Sequence, residues 1–308
     1  MIGIQVIGTY IPVGRIDNMQ RMMQFEVDEA FLLEKTGMLR LAVKSEDEET
    51  SDMCCKAFFD LQLKANVQTE EIDCIVVCTQ NPDGHGLPHT SAIVHAKLGL
   101  PDSCAIFDIS LGCSGFVYGL SIIQSFMEAN GFSKGILFTA DPYSKIVNQQ
   151  DKNTSLLFGD GATATLISNT PIWHSGKFLF GSHGKEHAAI EIEQSSGKLI
   201  MNGRSVFSFS ATVVPKNIIA MLTANNLTVG DIDYFALHQG SRYIVDTLKK
   251  KLGIDELKAP FAAADYGNTV SSSIPIILSQ IDSELNRIVI AGFGVGLSWA
   301  STVLFKVN

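Results

Sequence analysis

The sequence predicts an α/β protein made of two similar halves, residues 1–168 and 169–308, each a sandwich of sheet and helix. Three observations carry this reading. First, 308 residues with 46% apolar and 18% charged side chains have a globular composition and more length than one ordinary core uses. Second, strand-like and helix-like patterns alternate up to residue 168, which implies parallel strands with helices on the faces. Third, the theme recurs in order: VQTEEIDCIVVCTQ at 67–80 answers LTVGDIDYFALHQ at 227–239, residues 136–140 answer 288–292, and 161–167 answer 298–305. Three matches in one order indicate internal duplication.

Residues 2–7 read as the opening strand, followed by a Gly/Pro turn and a helical stretch around 27–34. Residues 39–50, polar and acidic toward their end, read as a surface loop. Ser51 and Asp52 suit the cap of a helix whose apolar face is Met53, Ala57, Phe58, Leu61 and Ala65. A buried strand at 74–78, a Gly/Pro loop and a helix at 90–97 come next. Ala105, Ile106 and Phe107 form another strand, and Phe116, Val117, Leu120, Ile123 and Met127 then recur at helical spacing. A strand at 136–140 ends in a polar loop before FGDGATATLI at 158–167, whose GDG reads as a hairpin turn. Residues 173–206 are polar and match nothing clearly, as expected of surface variation.

A net charge of −9 argues against nucleic acid as the main partner. The opening MIGIQVIGTYIP has neither a basic start nor an apolar run long enough for a signal peptide or a membrane helix, so a cytoplasmic protein is expected. Six cysteines, at 54, 55, 74, 78, 104 and 113, lie in the first half with no zinc-knuckle spacing, so reduced thiols and no metal are expected.

One of those thiols stands apart. Cys113 in DISLGCSGFVYGL falls where a strand hands over to a helix, flanked by Gly112, Ser114 and Gly115, which permit a sharp turn and close approach of a ligand. The helix N-terminus favours thiolate, the nucleophilic form. On this stretch alone, a reactive thiol and a buried small hydrophobe are equally good readings. His238 follows the second-half strand, at a strand end of the kind where open α/β sheets bind ligands. Asn268 corresponds roughly to Cys113 in the second half, each at the start of a helix after a strand. Read singly, His238 is a hydrogen-bonded strand-end histidine and Asn268 a turn residue.

Together these residues resemble a known family. GCSGFVYGL around Cys113, LHQGSRY around His238 and YGNTVSSSIP around Asn268 are similar to the Cys, His and Asn motifs of β-ketoacyl-acyl-carrier-protein synthase III, and FGDGATATL, GFGVGLSW, GTYIP and EKTGM also fit. The likeness spans almost the whole chain. It implies the thiolase-like fold, two halves in a five-layered α-β-α-β-α sandwich, without a cofactor. It implies an acyl-Cys113 intermediate formed from acyl-coenzyme A, then decarboxylative condensation with malonyl-acyl-carrier protein assisted by His238 and Asn268. Backbone N–H groups of Cys113 and Val295 would form the oxyanion hole. The resemblance further places Phe31, Lys35 and Lys152 at coenzyme A, Leu87 in the acyl pocket of a homodimer partner, and Arg242, Lys249, Lys250 and Lys251 at the docking face for an acidic carrier protein. Lys35 and Lys152 stand where the family has arginine, which weakens the case for coenzyme A, and Ser241 stands near His238 where the family has asparagine. Delivery of the acyl group to an amine or hydroxyl, or a silent partner subunit, are the alternatives. A thiolase proper lacks support because GFGVGLSW has no second cysteine, and Asn268 excludes the two-histidine relatives.

Overall fold

The computed structural model describes residues 1–281 and 284–307. Its strands are β1 (Gly3–Tyr10), β2 (Gly14–Asp17), β3 (Arg40–Val43), β4 (Cys74–Cys78), β5 (Ala105–Ile109), β6 (Lys134–Ala140), β7 (Ala162–Ser168), β8 (Trp173–Ser175), β9 (Leu179–Ser182), β10 (Ile190–Glu193), β11 (Lys198–Met201), β12 (Tyr234–Leu237), β13 (Arg287–Gly294) and β14 (Ser298–Lys306). Ten of these form one hydrogen-bonded sheet in the order β12-β13-β14-β8-β1-β7-β6-β4-β5, with β9 beside β14. The first-half and second-half strands join through a single pair, Ile4 with Trp173.

Pairing is mixed rather than parallel throughout. β4 runs parallel to β5 and β6, and β12 parallel to β13, but β6–β7, β7–β1 and β13–β14 are antiparallel. The reason lies in the connections. Only residues 295–297 separate β13 from β14, too few for the crossover that a parallel return requires.

Six helices build the layers: α1 (Thr50–Ala65), α2 (Thr90–Leu98), α3 (Gly115–Asn130), α4 (Gly203–Ala224), α5 (Arg242–Leu252) and α6 (Ser273–Leu278). α1 and α2 cover β1, β7, β4 and β5 from outside, while α4 lies on β13 and β14 with α5 against it. Between them, α3 touches β4, β6, β13 and β14, and α6 touches β1, β7, β12 and β13. This gives the expected order α-β-α-β-α. α3 occupies the middle because it is apolar around much of its circumference: Phe116, Val117, Leu120, Ile123 and Met127 are all fully buried. Truncating one of them, as in Leu120→Ala, costs about 2–5 kcal/mol. α4 is apolar and long enough to cross a membrane by length and composition, yet half of that stretch is buried against the sheet.

Local expectations needed three corrections. The helix around 27–34 is instead a π-helical turn, Phe31–Thr36, closed by Gly37 at φ 72°. The supposed surface loop at 39–50 contains β3, which buries Leu41 and Ala42 and ties Ala42 N–H to the Tyr266 carbonyl. The first turn of α1 is capped by Glu49, whose N–H donates to Asp52 while its own carboxylate accepts in return, so Ser51 lies inside the helix.

Candidate active site

Cys113 sits in the turn between β5 and α3, and its position is fixed by how closely other backbones approach. A side chain at Gly294 would meet Sγ of Cys113 at 2.7 Å, and one at Gly292 would meet the Cys113 carbonyl at 2.7 Å. Glycine in GFG is therefore demanded by the close approach of the Cys113 turn. A cavity of about 390 Å³ opens beside them and is lined by Cys113, His238 and Asn268. All six cysteines are free and buried, and among them Cys113 alone lines this cavity.

The expected resting thiolate is not met. Burial pushes the Cys113 thiol up to about 12, Asp141 adds to the shift, and the backbone N–H groups of Val295 and Cys113 oppose it. Burial wins because Cys113 is only 6% exposed. Cys74 is likewise pushed up to about 12 by burial, so access to the cavity and the aimed N–H groups, not acidity, distinguish Cys113. Those two N–H groups are the pair expected for an oxyanion hole.

His238 continues from the end of β12, its N–H donating to the Ala291 carbonyl at 2.9 Å. The ring stands edge-on to Phe293 with centroids 5.5 Å apart, and its Nδ1 lies 2.7 Å from the Ser273 hydroxyl. Burial holds its pKa down at about 3, so the imidazole is neutral.

Asn268 does not follow a regular strand, as its comparison with Cys113 had suggested. It forms an isolated bridge with Phe158 in the loop ahead of α6. Asn268 N–H donates to Leu157, and its carbonyl accepts from Gly159. The GDG at 159–161 is accordingly not a hairpin turn but the seat of that loop. Gly159 has no room for a side chain against the Tyr266 carbonyl, and Gly267, at φ 82°, packs on the Gly159 nitrogen. Asp160 is wholly buried and accepts from Lys44 N–H and the Ser144 hydroxyl. Within the loop, Asn268 Oδ1 accepts from Val270 N–H at 2.9 Å. That contact settles the amide orientation: the carbonyl oxygen is used, and the NH2 is left to donate. Val270 itself has φ 53°, a costly conformation for a β-branched residue, retained where it turns Asn268 toward the cavity.

Around the cavity mouth, Phe31, Lys35 and Lys152 appear as expected, and Arg204 joins them. Lys35 Nζ stands 3.9 Å over the Tyr243 ring and Lys152 Nζ 5.2 Å over Phe31. Among the described residues no carboxylate lines this cavity, although the chain carries a net charge of −9. Arg204 escaped the sequence reading because residues 173–206 look like surface variation. In fact the β10–β11 hairpin and the start of α4 form a cavity wall through Ile190, Met201 and Val206. Ser241 caps α5 by accepting from Ile244 N–H. Of the expected docking cations, Lys250 and Lys251 are exposed on α5, but Lys249 pairs with Asp246 at 2.7 Å and its side chain is only 11% exposed. The Arg242 guanidinium stacks 4.6 Å from Phe261. Leu87 is 93% exposed and does not line this cavity. Among the described residues, no group of three metal-ligating side chains occurs.

Known proteins similar to this chain point to one family. Residues 107–184 match the 3-oxoacyl-[acyl-carrier-protein] synthase III family model, and residues 222–305 match the model of its C-terminal part. A β-ketoacyl-[acyl-carrier-protein] synthase III from Streptococcus mutans is 34% identical over 96% of each chain. The chain belongs to the 3-oxoacyl-[acyl-carrier-protein] synthase III family. The Thermus thermophilus synthase III structure superposes with a TM-score of 0.91 at 29% identity, covering 99% of both chains. The priming β-ketosynthase of the R1128 polyketide pathway gives 0.89 at 26% identity, over 100% of this chain and 97% of that one. Thiolase-like condensing enzymes thus set the fold, and the motifs around Cys113, FGDG, His238, Asn268 and GFGVGLSW fall within matched segments, whereas GTYIP, EKTGM, Phe31 and Leu87 lie outside them.

Proposed function

We propose that this synthase III family member loads an acyl group onto Cys113 and condenses it with malonyl-acyl-carrier protein, releasing carbon dioxide and a 3-oxoacyl thioester. The observation that carries this reading is the convergence of one thiol and two neutral side chains on one cavity that no carboxylate lines among the described residues. In the first half-reaction, Sγ attacks the acyl thioester carbonyl, the carbonyl oxygen gains charge between the N–H groups of Cys113 and Val295, and the C–S bond to the carrier breaks. The Cys113 proton ends on the departing thiol, so the exchange is proton-neutral. In the second, the malonyl C–C bond breaks to give carbon dioxide and an enolate, whose oxygen accepts from His238 and Asn268. The enolate carbon attacks the acyl-Cys113 carbonyl, the C–Sγ bond breaks, and Cys113 takes a proton. A neutral imidazole suits this step, since hydrogen-bond donation rather than proton transfer is required.

Three residues at the mouth, Lys35, Lys152 and Arg204, favour a carrier bearing phosphate, with Phe31 and Tyr243 as flat faces for an aromatic base; acyl-coenzyme A is the expected donor. Carrier-protein docking falls to Lys250, Lys251 and Arg242. Leu87 closes an acyl pocket only if a second copy brings it there, so the reading includes a homodimer in the cytoplasm, built from two quasi-equivalent halves that divide near residue 168. Intact mass spectrometry tests the reaction. Incubation with an acyl-coenzyme A should add one acyl mass, and malonyl-acyl-carrier protein should then remove it in step with 3-oxoacyl product. An adduct that persists with malonyl but leaves with an amine or alcohol would instead identify a different acceptor.

A further inference from the structure

A neutral imidazole carries one proton, and everything proposed for His238 depends on which nitrogen holds it. The ring is 2% exposed and touches Ser273, a wholly buried residue at the start of α6. Nδ1 and the Ser273 oxygen are 2.7 Å apart. A helical serine commonly spends its hydroxyl proton on the carbonyl four residues back. Here that bond is not made: among the described residues the one hydrogen bond of the Ser273 hydroxyl is to Nδ1. If Nδ1 carried the proton, the serine hydroxyl would accept, and its own proton would be left without a partner in the interior, which is costly. The reverse arrangement satisfies both groups.

We propose that Ser273 is a positioning residue: its hydroxyl donates to Nδ1 of His238 and thereby holds the ring as the Nε2–H tautomer, with that N–H presented to the cavity. The assignment rests on the condensation reading, because an Nε2–H ring can stabilise an enolate oxygen but cannot act as a base toward Cys113 through Nε2. It separates the two half-reactions. Loss of Ser273 weakens malonyl decarboxylation and spares loading of Cys113, whereas a merely structural residue would impair both.

The test has two independent readouts. Nitrogen NMR of the full-length protein labelled with 15N-histidine, with His238→Gln used to assign the signal, should show Nε2 protonated and Nδ1 unprotonated. A protonated Nδ1 overturns the proposal whatever the activity, and this measurement needs no variant of Ser273. In Ser273→Ala, decarboxylation of malonyl-acyl-carrier protein should fall about 10- to 100-fold. Acyl loading measured by intact mass should change less than about threefold, and Ser273→Thr should restore most of the loss. Equal loss of both half-reactions, or none, would overturn it. Unchanged decarboxylation in His238→Ala would instead defeat the condensation reading, and the wild-type tautomer would still judge Ser273.

Discussion

The floor of the cavity and its mouth are built on different physical terms. On the floor, Cys113, His238 and Asn268 are 6%, 2% and 4% exposed, and each is held by backbone or buried hydroxyl partners that leave one choice of orientation. At the mouth, Lys35 and Arg204 are exposed, and ring contacts rather than carboxylates hold Lys35 and Lys152 in place. A buried hydrogen-bonded group has a fixed geometry and a large cost of change, whereas an exposed cation on a long stem is adaptable and screened by salt. On the proposed reading the chemistry resides in the part of fixed geometry, and the choice of carrier in the adaptable part.

Changes to the floor and mouth should differ by orders of magnitude if this contrast is right. Cys113→Ala should abolish acyl uptake, with turnover down at least about a thousandfold and the fold intact by circular dichroism. Arg204→Ala should raise KM for acyl-coenzyme A by about 3- to 10-fold with kcat little changed, and the difference should shrink as salt rises. A kcat loss like that of a floor residue would erase the distinction. Smaller still, about two- to fivefold on KM for the carrier protein alone, is the effect expected of Lys250→Glu with Lys251→Glu. Lys249→Glu should instead lower stability, since it places a carboxylate against Asp246.

Beneath the floor, a pH experiment sharpens the same comparison. Asp141 is wholly buried beside the Cys113 turn and accepts from Gln80 N–H and the Ser271 hydroxyl, and burial raises its pKa to about 7. A raised pKa contributes stability that is full below the ordinary value near 3.8 and lost as pH climbs through about 7. His238, held down at about 3, acts in the opposite sense: its contribution is present above about 6.5 and lost as pH falls toward about 3. The two partly cancel between those limits. Asp141→Asn should uncover the histidine, so that the variant gains stability relative to wild type between pH about 4 and 7, by up to about 1.4 kcal/mol per pH unit. Urea unfolding at several pH values reads this directly, and parallel curves for the two proteins would contradict it.

The same contrast explains what the sequence could reveal. Cys113, His238 and Asn268 were legible because each sits in a motif whose glycines and small residues answer a fixed geometric demand, such as Gly294 against the sulfur. The sheet and helix order was legible from periodicity, and the five layers from the family resemblance. Antiparallel returns were not, because strand patterns do not record direction and only the short 295–297 link betrays it. GDG looked like a turn because Gly-Asp-Gly commonly makes one; its role against Asn268 depends on contacts 100 or so residues away in sequence. Arg204 was hidden in a polar stretch that only tertiary packing turns into a wall. Ser273 and Asp141 gave no local signal, since a serine in a small-residue run and an aspartate after a strand are ordinary until the fold buries them.

The central claim is that His238 and Asn268 donate to one and the same oxygen. A double-mutant cycle on malonyl decarboxylation, using His238→Ala, Asn268→Ala and the pair, measures this directly. Each single change should cost about a hundredfold or more, and the double variant should be little worse than either, as expected of residues acting as a unit. Fully additive losses would show that the two side chains serve different groups and would contradict the account.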